Sequence, residues 1–287
     1  MTDTAGDVSV LCVVGSVEGV TQLHDVVYIV CGGLSKFLRF NATTPQPLTE
    51  IYSSAILRFN ATTHQRLTDI VVKGLILPRD IVCCERTSQV YVVESDYGRC
   101  IWRVSSDGED IQRWLPKSPL DTFKPERLSV TSTRLLVTSH YPHQLIQFDA
   151  VGDELRRVQL PYMCANPQHA VESPTGTFIV SHLNRQLCQV SEVNTGGEVL
   201  RQFSGSHLLP LGNTQHVAVD SHGNIFLADT ENRCILLLDA HLTLRRVIVD
   251  KHQLSLTYEP RRLCYKEQSG QLLVMAYDGV AVFDVLG

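Results

Sequence analysis

The sequence predicts an all-β protein built from repeated four-stranded antiparallel sheets, and three observations carry that prediction. A short apolar strand recurs six times: VYIV at 27, VYVV at 90, RLLV at 134, TFIV at 177, IFLA at 225 and LLVM at 272. A second anchor, a Pro-x-x-apolar step, precedes five of them: PRDI at 78, PERL at 125, PQHA at 167, TQHV at 214 (Thr replacing Pro) and PRRL at 260. Runs of Val, Ile, Leu and Phe lie between clusters of Gly, Asn, Asp and Ser, and no helical spacing is sustained over a dozen residues. Both anchors keep one period. The strands are offset by 63, 44, 43, 48 and 47 residues, and the steps by 47, 42, 47 and 46.

The first unit, residues 15–77, holds the long offset. LRFNATTPQPLTEI (38–51) is followed by LRFNATTHQRLTDI (57–70), identical at 11 of 14 positions at a spacing of 19. Removing those 19 residues brings the offset to 44, so the duplication predicts an added hairpin or loop, not a further unit. The next four units span 78–124, 125–166, 167–213 and 214–259. The fifth shows the plan most plainly: QHVAVD, the turn SHGN, IFLAD, the polar TENR, CILLLD and LTLRRVIV. This is a four-stranded meander with apolar residues on both faces, and radial stacking of such sheets is what buries both. The sixth unit, 260–287, supplies only RLCYK, QLLVMA and VAVFDV, while an orphan strand, VSVLCVV (8–14), precedes the first. Joining the two predicts a closed six-bladed β-propeller spanning 1–287 as one domain, with no free sheet edges.

At HVAVDSHGNIFLADTENRCILLLD (216–239) the fifth unit resembles the NHL repeat, which reads roughly P-x-G-I-A-V-D-x-x-G-N-I-Y-V-A-D-x-x-N-x-R-I. The matching residues are Val217, Ala218, Val219, Asp220, Gly223, Asn224, Ile225, Ala228, Asp229, Asn232, Arg233 and Ile235. The unit at 78–104 is a looser copy that keeps Pro78, Val90, Tyr91, Val92 and Arg99. The resemblance implies a six-bladed propeller of NHL or related TolB-like type. Propellers of that family serve mostly as protein-interaction modules, including the substrate-recognition part of tripartite-motif ubiquitin ligases. Some bind single-stranded RNA, and a few related rings are metal enzymes.

Composition narrows the function classes. An apolar share of 44% with 19% charged residues excludes a mainly disordered chain. With 25 Lys+Arg against 30 Asp+Glu, the net charge of −5 gives no chain-wide cationic surface for DNA or an anionic membrane. Apolar stretches such as 8–17 and 26–35 are far shorter than a membrane span. The opening MTDTAGD carries acids where an export signal carries Lys or Arg, so a cytoplasmic location is expected. Nine cysteines, an odd number with no C-x-x-C pair, lie mostly in apolar runs and read as buried reduced thiols.

Propeller sites usually form at the axial face, where the loop entering each innermost strand presents its first residues. The Pro-x-x step fills that place with Arg79, Asp80, Glu126, Arg127, Gln168, His169, Gln215, His216, Arg261 and Arg262. Arginine forks suit carboxylates and phosphates. The functional reading is therefore a ligand-binding face for a protein or acidic peptide segment, with single-stranded RNA as the alternative partner. The competing reading is that these groups pair with one another and only solvate the rim. A metal enzyme of the amidating-lyase type would need histidines directly after the step's proline, where this chain has Arg79, Glu126, Gln168, Gln215 and Arg261. His169 and His216 come one residue later, and two histidines without a third ligand do not make a metal site. A lactonase-like calcium site would rest on Glu126 and Asp80 alone. No catalytic residue, metal or cofactor is expected.

The pairs Ser139–His140, Ser181–His182, Ser206–His207 and Ser221–His222 come without a G-x-S-x-G elbow, and neighbours on a strand point to opposite faces. Asn41 and Asn60, each in N-A-T, read as turn residues. Trp102 suits packing between sheets, and Trp114, beside a loop, suits either packing or an exposed anchor.

Overall fold

The computed structural model describes residues 9–12, 14–37, 40–41, 44–45, 49–51, 55–63, 65–94, 100–115, 124–131, 134–139, 142–184, 187–205, 210–250, 252, 259–276 and 279–285. They form a six-bladed β-propeller of antiparallel sheets, with one 3-10 turn at Tyr162–Cys164. The innermost strands are Val14–Leu23, Pro78–Cys84, Pro125–Thr131, Pro167–Glu172, Thr214–Val219 and Arg262–Lys266. Each touches the next, and the last touches the first, so the ring is closed. Among the described residues no helix is long and apolar enough to cross a membrane.

Six apolar cores lie in the six gaps between neighbouring blades. Between the first and second, for example, Tyr28, Val30 and Ile56 pack on Ile81, Val90, Val92 and Val104. The central strands are thus apolar on both faces, and no blade buries its surface without its neighbours. Trp114 belongs to such a core, 6% exposed, with its ring 5.0 Å from Tyr91, so it packs and does not serve as a surface anchor.

Closure joins the two ends of the chain. Strand Ser9–Cys12 pairs antiparallel with Gly279–Asp284, Ser9 opposite Val282 and Cys12 opposite Gly279. It is shorter than the expected 8–14, because Val14 already starts the innermost strand of the first blade. In that blade the second copy of the duplicated segment supplies the third strand, Ala55–Asn60, against Val26–Val30. The first copy supplies Thr49–Ile51, which pairs with Ser35–Phe37 at the far end of the long strand Val26–Phe37, and a small Phe40–Asn41/Thr44–Pro45 ladder. Asn60 is a turn residue, its Oδ1 accepting the amides of Thr62 and Thr63. Asn41 lies in the small ladder.

The step recurs as a backbone device. In five blades the register of the innermost strand shifts, so that the ladder skips Glu18, Arg79, Glu126, Gln168 and Gln215. In the sixth, Arg261 occupies the corresponding place, its amide donating to the Met275 carbonyl. A β-bulge re-aims the next side chain, here toward the ring axis. The residues so aimed are Gly19, Asp80, Arg127, His169, His216 and Arg262.

Gly19 is the small member of that set because the first two blades meet there. A Cβ on it would stand 2.9 Å from both the Ile81 amide nitrogen and its Cγ2. Gly19→Ala should destabilise the fold by about 1–3 kcal/mol, read as a lower midpoint in urea unfolding. An unchanged midpoint would mean the two blades can separate at no cost.

Candidate functional site at the ring axis

Five polar side chains converge where the innermost strands begin. Asp80, His169, His216 and Arg262 are buried, and Arg127 is half-buried. Each holds backbone by hydrogen bonds, and three of them form a repeated clasp. Asp80 Oδ2 accepts the Leu128 amide of the next blade at 3.0 Å, while Oδ1 accepts the amide of Ile81 at 3.0 Å. His169 Nδ1 accepts the Val217 amide at 3.4 Å, and His216 Nδ1 accepts the Leu263 amide at 3.3 Å. Every one of these cross-blade donors is the residue after the axial position of the next blade. Such an amide on an inner strand edge has no ladder partner and would be left unpaired at substantial cost.

The bonds fix the imidazole tautomers. His169 Nε2 lies 3.0 Å from the Leu128 carbonyl, so Nε2 carries the proton and Nδ1 is the acceptor. In His216 the accepting Nδ1 likewise leaves the proton on Nε2. The two rings stack with centroids 3.6 Å apart and planes 18° from parallel. Burial lowers the His169 pKa to about 3, with Arg262 and Arg127 adding to the effect. His216 is held well below its ordinary value by burial first, then by His169 and the two guanidiniums.

The arginines crowd each other. Burial, then the Arg127 guanidinium, lowers the Arg262 pKa to about 9, while Asp80 and Glu18 oppose the shift. Arg262 Nε is 3.8 Å from Asp80 Oδ1, and its Nη1 donates to the Arg261 carbonyl at 3.0 Å. Arg127 Nη1 donates to the carbonyls of Glu126 and Arg79 at 3.0 and 3.4 Å. Burial pushes the Asp80 carboxyl up, and Arg262, Arg127 and the two amides pull it back. With the imidazoles neutral, two guanidiniums share the buried carboxylate of Asp80, and Glu18 acts on Arg262 from the first blade.

Sequence spacing reads all ten step residues as one rim, and the structure divides them. The bulged residues Arg79, Glu126, Gln168 and Arg261 are half-buried at the surface, and the Gln215 side chain lies outside the described residues. The axial residues form a plug beneath them. Two positions escaped the sequence reading, Glu18 and Gly19 of the first blade, where V-E-G-V (17–20) replaces the Pro-x-x step. Its distance from VYIV, ten residues, falls within the 9 to 12 that separate step from strand in the other blades and could have revealed it.

Asp80 supplies the third group that two histidines lacked, since one ligand atom from each of Asp80, His169 and His216 lies within 4.8 Å of the others. The donor set does not fit a metal ion. Both His169 nitrogens and both Asp80 oxygens already serve backbone groups, and two guanidiniums stand beside them.

Other chemistry-bearing residues fall elsewhere. Ser181 and His182 point apart, to the His169 carbonyl and to Ser191 Oγ. His140 and the 206–207 pair lie outside the described residues. Ser221 and His222 sit in a turn, where alternation does not apply, and Ser221 Oγ comes within 3.4 Å of His222 Nδ1. That hydroxyl donates to Glu267 at 2.6 Å, so a carboxylate and not the imidazole takes its hydrogen. The eight cysteines whose side chains are described are unbridged, and burial raises the thiols of Cys100 and Cys234 to about 11 and 12, away from nucleophilic character.

No protein-family model matches the sequence, and no curated protein matches it. Solved structures do. A gluconolactonase from Xanthomonas campestris aligns over 97% of this chain and 90% of its own at 12% identity, with a TM-score of 0.66. Virginiamycin B lyase from Staphylococcus aureus aligns over 96% and 98% at 12% identity and 0.63. A chain of a nidogen/laminin complex aligns over 86% and 84% at 12% identity and 0.60. What these likenesses show is the propeller. At such identities they carry no activity across to this ring.

The neutral imidazoles set a pH dependence. Once unfolded they protonate near 6.5, so the unfolded chain binds more protons below that value and stability falls as pH drops toward about 3. The raised Asp80 carboxyl works in the opposite sense, so a variant isolates the histidine share. Between about pH 7 and pH 5 the wild type should lose more thermal stability than His169→Gln, whose amide can both donate and accept at that place. Equal slopes would show that His169 is not held neutral.

Proposed function

We propose that this propeller is a non-catalytic recognition module of the NHL type, and that it takes an acidic protein segment on the end of the ring where the innermost strands begin. The crowding of Arg127 against Arg262 supports the reading most directly. Two guanidiniums meet the buried Asp80 carboxylate, with Glu18 also acting on Arg262, and the half-buried Arg79 and Arg261 lie in the bulge positions. A carboxylate arriving there relieves repulsion the fold itself leaves in place, and it can be met bidentately. The commitment of the imidazoles and Asp80 to backbone amides favours recognition over metal-dependent catalysis.

The test uses a fluorescent Glu/Asp-rich decapeptide, its Gln/Asn counterpart and single-stranded oligouridine. The acidic peptide should bind, and Arg79→Glu with Arg261→Glu should weaken it by about tenfold or more. Equal binding of the neutral peptide, or an unchanged affinity in the double variant, would contradict the proposal. Tighter binding of oligouridine with a steep salt dependence would move the site to RNA.

A further inference from the structure

We propose that the axial lumen, on the far side of the histidine plug, is a second binding site and takes the extended end of a peptide chain with small side chains, held through its backbone by open strand edges. The proposal does not depend on the acidic-segment reading, because it concerns the opposite end of the ring. There the lumen encloses about 460 Å³. His169 and His216 line its inner end, and Glu85, Arg86 and Lys266 stand toward its mouth.

The wall of the lumen is strand edge. Every second residue of an innermost strand turns both its N–H and its C=O away from the ladder and toward the axis. Leu128, Val217 and Leu263 are such residues, clasped through their amides by the axial side chains of the preceding blades. Two residues further on, Val130, Val219 and Tyr265 face the lumen in the same way. At this level an edge is closed where the preceding blade carries an acceptor. Thr21 closes that of Cys83, its hydroxyl accepting the Cys83 amide at 3.2 Å, and the Cys264 sulfur meets the Gln22 amide. Val82, Val171 and Ala218 hold the corresponding place and carry only methyl groups, so the edges at Val130, Val219 and Tyr265 stay open, each with one donor beside one acceptor. Ser129, also at that place, lines the lumen 7% exposed, and its hydroxyl has no hydrogen-bond partner.

A donor beside an acceptor is what an extended backbone presents, and one residue of an added strand exchanges both bonds with one edge residue. An anion or a cation would match only half of each open edge. The mouth adds no net pull of either sign through its closest pair, since Glu85 is held by Lys266 at 2.6 Å. Dimensions set the side chains. From Asp80 to Glu85 the chain rises ~16 Å at 3.3 Å per residue, the depth of about five residues of extended peptide. Spread over that depth, the volume leaves a section of roughly 30 Å², whereas a strand with average side chains in stacked sheets takes roughly 4.8 by 10 Å. The lumen therefore suits Gly, Ala and Ser and rejects β-branched or larger residues. Because the stacked imidazoles close its inner end, the segment enters by a chain terminus.

Calorimetric titration with N-acetyl-tetraalanine amide tests this, against the same peptide N-methylated at every second residue and against N-acetyl-tetrathreonine amide. The alanine peptide should bind one per chain with a Kd below about 1 mM, at least about tenfold tighter than either control. The backbone amide resonances of Val130, Val219 and Tyr265 should shift on titration. Val82→Thr with Val171→Thr keeps the side-chain shape and supplies the hydroxyls that Thr21 supplies in the first blade. That double variant should slow hydrogen exchange at Val130 and Val219 and weaken the alanine peptide about tenfold. No saturable binding up to about 10 mM, equal binding of either control, shifts confined to the other end of the ring, or an unchanged affinity in the double variant would overturn the proposal.

Discussion

Everything at the centre of this molecule depends on one hydrogen bond repeated around the ring, from a backbone amide of one blade to the axial side chain of the blade before it. Innermost strands have an edge with no ladder partner, and six such edges face one another across the axis. Asp80, His169 and His216 each reach across to the following blade and accept that amide. The same bonds satisfy buried donors, fasten neighbouring blades and fix which imidazole nitrogen carries the proton. They also remove from use the atoms that a metal would need.

The bulge makes this arrangement possible and gives the two ends of the ring different chemistry. By looping one residue out of the ladder, it turns the next toward the axis and leaves the looped residue at the surface. At that end the looped residues are polar, with Arg79, Arg261, Glu18 and Glu126 around two crowded guanidiniums. Beyond the plug the same strands continue, and the lumen is lined by their edges and by side chains that include Val82, Val171 and Ala218. One local backbone feature thus separates a polar surface from an axial cavity.

Much of the fold was legible because the pattern that encodes it is long and redundant. Both faces of every blade need apolar residues, so the strand motif had to recur, and the closure of the ring followed from a sixth unit one strand short. The step was legible as a constellation of ten residues but not as a two-layer structure. Strand alternation without the bulge gives the wrong partner for the axis, and the bulge leaves no mark in the sequence beyond the proline. Glu18 and Gly19 were missed because the first blade lacks even that proline, and Gly19 has no side chain to suggest a site. Asp80 reads as a rim acid until the neighbouring blade is placed against it. The role of Thr21, whose hydroxyl accepts the Cys83 amide of the next blade at 3.2 Å, was invisible, since it depends on which strand edge faces the axis.

The state of the two histidines bears on the whole account, because neutral imidazoles with protons on Nε2 are what the clasp requires. Nitrogen-15 NMR of the imidazoles at neutral pH reads that state directly. The account predicts neutral rings with Nε2–H for both His169 and His216, unchanged on lowering the pH to about 5. An imidazolium signature at either residue near pH 6, or an Nε2 shift showing coordination to a metal, would contradict it.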